Sequence, residues 1–251
     1  MNNLKSFLML SLSMIWLSPV NNPIENNLKK GLVAYYSFND CDAHDESENG
    51  SDGKLFGNIG CWCGIEDDGL VFDGNHDYIE FHGIVNRYFT TSDFTISFYF
   101  KSSQYTVLKQ SLLSKRENCE EFNALDFRLD QNFKIIKTDV NETPYKDYGD
   151  ISPETGGGGW KHFAIVRKGT IAYTYINGVL IREGHRCSGV DVSNNAVLSF
   201  SNSPCILEGR ATRFKGILDE LRVYDRALTE LEISNLYFLH PVEKAEQDCV
   251  T

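Results

Sequence analysis

The densest collection of groups able to do chemistry is the acidic stretch Asp40-Cys41-Asp42-Ala43-His44-Asp45-Glu46-Ser47-Glu48-Asn49-Gly50-Ser51-Asp52-Gly53. Calcium takes six to eight oxygens from carboxylates, amides and carbonyls in flexible geometry, and a glycine-punctuated loop with Asp45, Ser47 and Asn49 at alternate positions can wrap such an ion. Gly50 stands where an EF-hand turn glycine would, but no Glu follows at the twelfth place, so the loop is not an EF-hand. Other reactive patterns are missing. None of the six histidines (His44, His76, His82, His162, His185, His240) falls in a His-Glu-x-x-His arrangement, and no Gly-x-Ser-x-Gly elbow occurs. The Gly156–Gly159 run leads into Trp160, Lys161 and His162, so it lacks the Lys-Ser/Thr ending of a phosphate-binding loop. His162 sits within an apolar strand pattern and reads as a packed, hydrogen-bonded residue rather than a base.

Paired carboxylates for glycoside hydrolysis need a separation of about 5–5.5 Å or 6.5–9.5 Å, which adjacent same-face positions of a strand supply. No Glu-x-Asp-x-Glu pattern exists. Asp219 and Glu220 are consecutive, which in a regular strand places them on opposite faces. Asp126 and Asp130 share a face, with Arg128 between them. A non-enzymatic reading follows.

Seven cysteines form the second constellation: Cys41, Cys61, Cys63, Cys119, Cys187, Cys205 and Cys249. That number suits an oxidising compartment. Six can pair and one is left over. Proximity suggests Cys41 with Cys61 and Cys187 with Cys205; Cys63 would then take Cys119, leaving Cys249 alone. Cys61-Trp62-Cys63 could also hint at zinc, but no second Cys/His pair accompanies it. The compartment has its own signal. Lys5 precedes the uncharged run Phe7–Leu17, too short to span a bilayer, and Ser18-Pro19-Val20 breaks it. Residues 1–20 therefore read as a signal peptide, residues 21–30 as a linker and residues 241–251 as a flexible tail. No later segment is apolar enough to cross a membrane, so the expectation is a secreted or cell-surface protein. With 24 Lys and Arg against 35 Asp and Glu, a net charge of −11 argues against nucleic acid as a partner.

The elements that must position these groups are strands. Phe94–Phe100 alternates, with Phe94, Ile96, Phe98 and Phe100 on one face. Further strands are expected at 32–38, 78–81, 112–115, 125–129, 134–137, 160–167, 171–176, 179–182, 196–200 and 214–224. Asn177-Gly178 is a type I′ hairpin turn signal. One short helix is expected after Thr229, where Glu232 completes a capping-box spacing, with Leu228, Leu231, Ile233, Leu236 and Leu239 toward the sheet. Short strands with Gly, Asn and Asp turns imply an all-β, two-sheet antiparallel sandwich. The long segment Thr138–Gly159 reads as a loop carrying Tyr145, Asp147 and Tyr148, a candidate ligand surface because tyrosine offers a flat apolar body with a polar tip.

Five motifs in order then add a resemblance. Gly31–Phe38 with Asp45–Gly50, Val71–Gly74 with Asp77–Phe81, Phe94–Phe98, Trp160–Ala164 with Tyr175–Gly178, and Phe214–Tyr224 with Ala227–Thr229 resemble the landmarks of a laminin-G-like (concanavalin A-like) jelly roll over residues 31–240. The resemblance implies an exported module that binds a carbohydrate or protein and often carries a structural calcium. It would place the ion where the first loop meets the last strand, making Asp40, Asp45, Asn49 and Asp219 the candidate Ca²⁺ ligands. The alternatives are a glycoside hydrolase on the same sandwich or a purely structural cell-surface module.

Overall fold

The computed structural model describes residues 27–103, 106–120, 122–130, 134–143, 145–152, 158–184 and 190–245. The signal-peptide and cleavage-region expectations lie outside them. Among the described residues, fifteen strands run in chain order: β1 Leu32–Tyr36, β2 Gly53–Phe56, β3 Gly60–Cys63, β4 Asp68–Asp73, β5 Tyr78–Phe81, β6 Phe94–Ser102, β7 Gln110–Lys115, β8 Ala124–Asp130, β9 Ile135–Thr143, β10 Lys146–Ile151, β11 Lys161–Lys168, β12 Ile171–Ile176, β13 Val179–Gly184, β14 Leu198–Phe200 and β15 Lys215–Tyr224. A 3-10 turn spans Gly83–Arg87, and helices α1 Pro204–Leu207 and α2 Glu230–Leu239 follow it.

Eight strands form one sheet in the order β13-β12-β11-β6-β15-β4-β3, with β1 also paired to β15; the other sheet runs β10-β9-β8-β7-β14-β5-β2. The paired strands are antiparallel. Alternation along β6 turns Phe94, Ile96, Phe98 and Phe100 into the core between the sheets, where they meet Phe127, Phe163, Phe200 and Leu218. Each such aromatic removed from water contributes about 1.5–3 kcal/mol. This is the expected antiparallel sandwich.

The local signals act where they stand. Asn177 and Gly178 both take positive φ, 50° and 73°, between β12 and β13. The Thr229 side chain accepts from the Glu232 N–H, and Glu232 reaches back to the Thr229 N–H, closing the capping box. Ile233 and Leu236 of α2 pack on Ala164, Val166 and Tyr175, on the outer face of the eight-stranded sheet. Leu231, expected on that side, is 70% exposed instead.

Three expectations are corrected. Residues 138–159 are not one loop: 135–143 and 146–151 form a hairpin, with β10 at the sheet edge. Its polar composition reflects an edge strand. The folded body also extends beyond residues 31–240, because Leu28 is buried against Tyr224 and Leu228, and Ala245 is buried against Ile65, Tyr99 and Trp160. Finally, Cys41 bonds Cys61 (Cα–Cα 5.5 Å) as the spacing suggests, but Cys119 bonds Cys205 (Cα–Cα 4.7 Å) across 86 residues. Strand β14 pairs with β7, which brings α1 beside the turn after β7. That neighbour relationship displaces both the Cys187–Cys205 and the Cys63–Cys119 pairings. Cys63 is itself disulfide-bonded; Cys187 and Cys249 lie outside the described residues.

Candidate functional site: a cleft at the bulge of the last strand

The acidic loop is closed by hydrogen bonds. Asp45 is buried; its Oδ1 accepts the N–H groups of Tyr35 (3.0 Å) and Ser47 (3.0 Å) and the Ser47 hydroxyl (2.6 Å), and its Oδ2 accepts the Ser51 N–H (2.9 Å). Asn49 donates its amide to the carbonyls of Leu32 (3.0 Å) and Val33 (3.2 Å), stitching the loop to β1. Asp219 is buried too, its Oδ2 accepting the Ile65 N–H (2.6 Å) and its Oδ1 the Glu220 N–H (2.8 Å). Asp40 is exposed. Among the described residues, the carboxylates of Asp40, Asp45 and Asp219 do not converge in one metal-binding group. Calcium takes six to eight oxygens around one centre, and the expected ligands are not gathered around one among the described residues.

What the structure does assemble lies around Asp219. Tyr99 of β6 faces Asp219 and Ser97 faces Arg222, so three steps along β15 match two along β6. The extra residue is Glu220, in the left-handed region at φ 54°. A bulge of this kind re-aims side chains. It carries the Glu220 carboxylate, fully buried, to the Tyr35 hydroxyl (2.8 Å) and into an ion pair with Arg222. The regular-strand expectation, with Asp219 and Glu220 on opposite faces, fails at this bulge. Arg222 stacks over the Tyr35 ring (4.1 Å to the centroid). Burial, reinforced by the neighbouring Glu220 carboxylate, pushes the Asp219 pKa well above the usual range, against the opposing N–H bonds. Gly64 lets the 64–67 turn approach, since a Cβ there would collide with Asp219 Oδ2.

The turn and the end of α2 complete a cleft. His240, the C-cap of α2, places Nδ1 2.9 Å from Glu66 and Nε2 3.7 Å from Glu220. Two adjoining hollows share Glu66, Leu239 and His240. One, of about 380 Å³, is lined by Cys63, Gly64, Asp67, Lys244 and others; the second, of about 300 Å³, by Leu28, Leu32, Tyr35 and Arg222. The second hollow combines mainly apolar walls with a few convergent polar groups, the usual make-up of a ligand site, while the first is lined more by polar groups. Sequence reasoning missed this site. Its residues are dispersed along the chain, and only the Leu-Asp-Glu-Leu run marked any part of it.

The remaining sequence candidates lie elsewhere. Tyr145 is almost fully exposed at the β9–β10 turn, and Asp147 and Tyr148 lie in β10. Asp126 is held by Arg116 (3.0 Å) and Arg128 (3.0 Å), which also pairs with Asp139. His162 is fully buried with Nε2 2.8 Å from Ser97 Oγ; burial first, then the Arg222 charge, lowers its pKa to about 3. It is a packed neutral residue without access to a substrate.

A family model described as the concanavalin A-like lectin/glucanases superfamily matches residues 73–234. The chain belongs to this superfamily. Among solved structures of the same architecture, the binding domain of Paraclostridial Mosquitocidal Protein 1 superposes with a TM-score of 0.67 at 19% identity, covering 84% of this chain and 52% of that one. The botulinum neurotoxin serotype G binding domain gives 0.67 at 14% identity, covering 83% and 51%. Domain 4 of an extracellular arabinanase from Geobacillus stearothermophilus, solved in complex with arabinotriose, gives 0.62 at 23% identity, covering 82% and 98%. This superfamily member thus spans about half of the toxin binding domains and nearly all of the arabinanase domain. At these identities the likeness is one of fold. No curated protein sequence matches the chain.

Proposed function

We propose that this chain is an exported, non-catalytic module that binds a glycan or an extracellular protein at the cleft around Glu66 and His240. The observation that carries the reading is the state of the cleft's buried acid: Glu220 is committed to Tyr35 and Arg222. Hydrolysis needs one carboxyl free to give a proton and another free to attack or activate water. Recognition needs only positioned polar groups between apolar walls. The solved relatives named above are binding domains or an arabinotriose-bound domain by their own descriptions, which supports the same reading. Export is supported by the disulfides and by the charged-then-apolar start of the sequence. Among the described residues no helix is long and apolar enough to cross a membrane.

One observation favours the hydrolase alternative. Glu66 and Glu220 bring carboxylate oxygens within 4.8 Å of each other, near the spacing of a retaining pair. Burial of Glu220 and its ion pair weigh against it. A glycan array followed by reducing-sugar release on each hit separates the readings. Binding without release supports the module; release abolished by Glu66→Gln supports the hydrolase.

A further inference from the structure

The larger hollow of the cleft, about 380 Å³, is walled on one side by residues 63–67 and on the other by residues 239–241 with Lys244 and Ala245. The second wall is a turn pinned at three points. The Lys244 N–H donates to the Pro241 carbonyl (2.9 Å), the Tyr237 hydroxyl donates to the Glu243 carboxylate (2.8 Å), and Ala245 is buried against Ile65, Tyr99 and Trp160. Ala245 is also the last residue described, so residues 246–251 continue the chain from the lining of this hollow. Cys63, on the facing wall, is disulfide-bonded. With Cys41 bonded to Cys61 and Cys119 to Cys205, the cysteines left in the sequence are Cys187 and Cys249.

Reach decides between them, because a disulfide holds its Cα atoms about 4.4–6.8 Å apart. Cys187 stands three residues after Gly184, the end of β13, and three before the buried Val190. Strands β13 and β3 are the two ends of the eight-stranded sheet, six spacings of about 4.8 Å apart, or roughly 29 Å. The other anchor is no nearer. Phe127 of β8 meets Phe163 of β11 and Phe200 of β14 meets Phe72 of β4, so the two sheets run the same way across the sandwich and β9 lies on the β13 side. The Asp191 N–H donates to Glu142 of β9 (3.0 Å), which holds the segment after Cys187 on that side too. Three residues extend at most about 11 Å, so Cys187 falls short of Cys63. Cys249 does not: Ala245 packs on Ile65, two residues from Cys63, and four residues extend about 14 Å.

We infer that residues 246–249 of this chain occupy the larger hollow, tied there by a Cys63–Cys249 disulfide, and that the second hollow is the part of the cleft left to an external ligand. The last clause rests on the binding-module reading; the bond and the occupant do not. The covalent link is what keeps the segment in place, since Glu246 and Asp248 join Glu66 and Asp67 around a single ammonium, Lys244, and like charges repel. The second hollow, with Leu28, Leu32 and Leu239 beside Tyr35 and Arg222, keeps the lining suited to a ligand.

Two measurements on the full chain test the bond and the occupant without a ligand. Chymotryptic cleavage after Trp62 separates Cys61 from Cys63, and mass spectrometry of the non-reduced peptides should then link 63 to 249. A peptide linking 63 to 187 would overturn the inference. Hydrogen exchange is then compared between wild type and the Cys63→Ser/Cys249→Ser variant. Exchange over residues 64–67 and 241–245 should rise at least tenfold in the variant, with β6 unchanged as the sign of an intact fold. Equal exchange at 64–67 in the two proteins would overturn the occupant. For the second hollow, the strongest glycan-array ligand is titrated into both proteins, and unchanged affinity is expected. A tenfold change in either direction would overturn the assignment of that hollow to the ligand. A wild-type chain that binds no glycan or extracellular protein would overturn the binding-module reading and leave the disulfide and its occupant standing.

Discussion

Glu220 and Arg222 are ion-paired two positions apart on one face of β15, and the bulge at Glu220 brings the preceding Asp219 to that same side. Both are buried, and Tyr35 closes the triangle by donating its hydroxyl to Glu220 and lying flat beneath Arg222. This triangle forms the floor of the cleft and ties β1, the first strand, to β15.

Removing one member of a buried pair strands the other charge, at a cost of about 3–5 kcal/mol. Glu220→Ala should therefore lower the free energy of unfolding by that amount in urea titrations. Tyr35→Phe, which deletes one hydroxyl bond and keeps the ring under Arg222, should cost about 1–2 kcal/mol. A loss below about 1 kcal/mol for Glu220→Ala would show that the pair does not hold the bulge.

His162 gives a pH signature of known sign. Its pKa of about 3 in the fold lies below the ordinary histidine value of 6.5, so the unfolded chain binds the proton more readily between those values. The associated stability is present above pH 6.5 and is lost as pH falls toward 3. The wild-type melting temperature should drop more steeply between pH 6.5 and 5 than that of His162→Gln. Equal slopes would contradict the burial of a neutral imidazole.

The sequence showed its local devices and hid its long-range ones. Alternating Phe94, Ile96, Phe98 and Phe100, the Asn177-Gly178 turn and the Thr229–Glu232 cap each depend on a few neighbouring residues, and each does in the fold what its spacing implies. The Glu220 bulge depends on how β15 registers against β6, and the Cys119–Cys205 bridge on β14 lying beside β7. Neither relationship can be read along the chain.

The Cys119–Cys205 bridge closes a loop of 86 residues, for which chain entropy gives a stabilisation of about 4–5 kcal/mol. Replacing both cysteines by serine should lower unfolding free energy by a comparable amount. Mass spectrometry of non-reduced proteolytic peptides should show 41 linked to 61 and 119 linked to 205. A peptide linking 187 to 205 would contradict the β7–β14 arrangement.

The hydrogen-bonded state of Asp45 and Asp219 predicts a loop that stands without an ion. Exchanging a chelator for millimolar calcium should leave the melting temperature within about 1 °C, since an ion bound to the native state would raise it. A rise of several degrees, abolished by Asp45→Asn, would restore the calcium site.

The most direct test of the binding-module account is calorimetric titration of the strongest array ligand into wild-type protein and into His240→Ala and Glu66→Gln, with product release followed in the same samples. The account predicts saturable binding, at least tenfold weaker in both variants at unchanged melting temperature, and no cleavage of the ligand. Affinity indifferent to both substitutions, or turnover of the ligand that stops with Glu66→Gln, would contradict it.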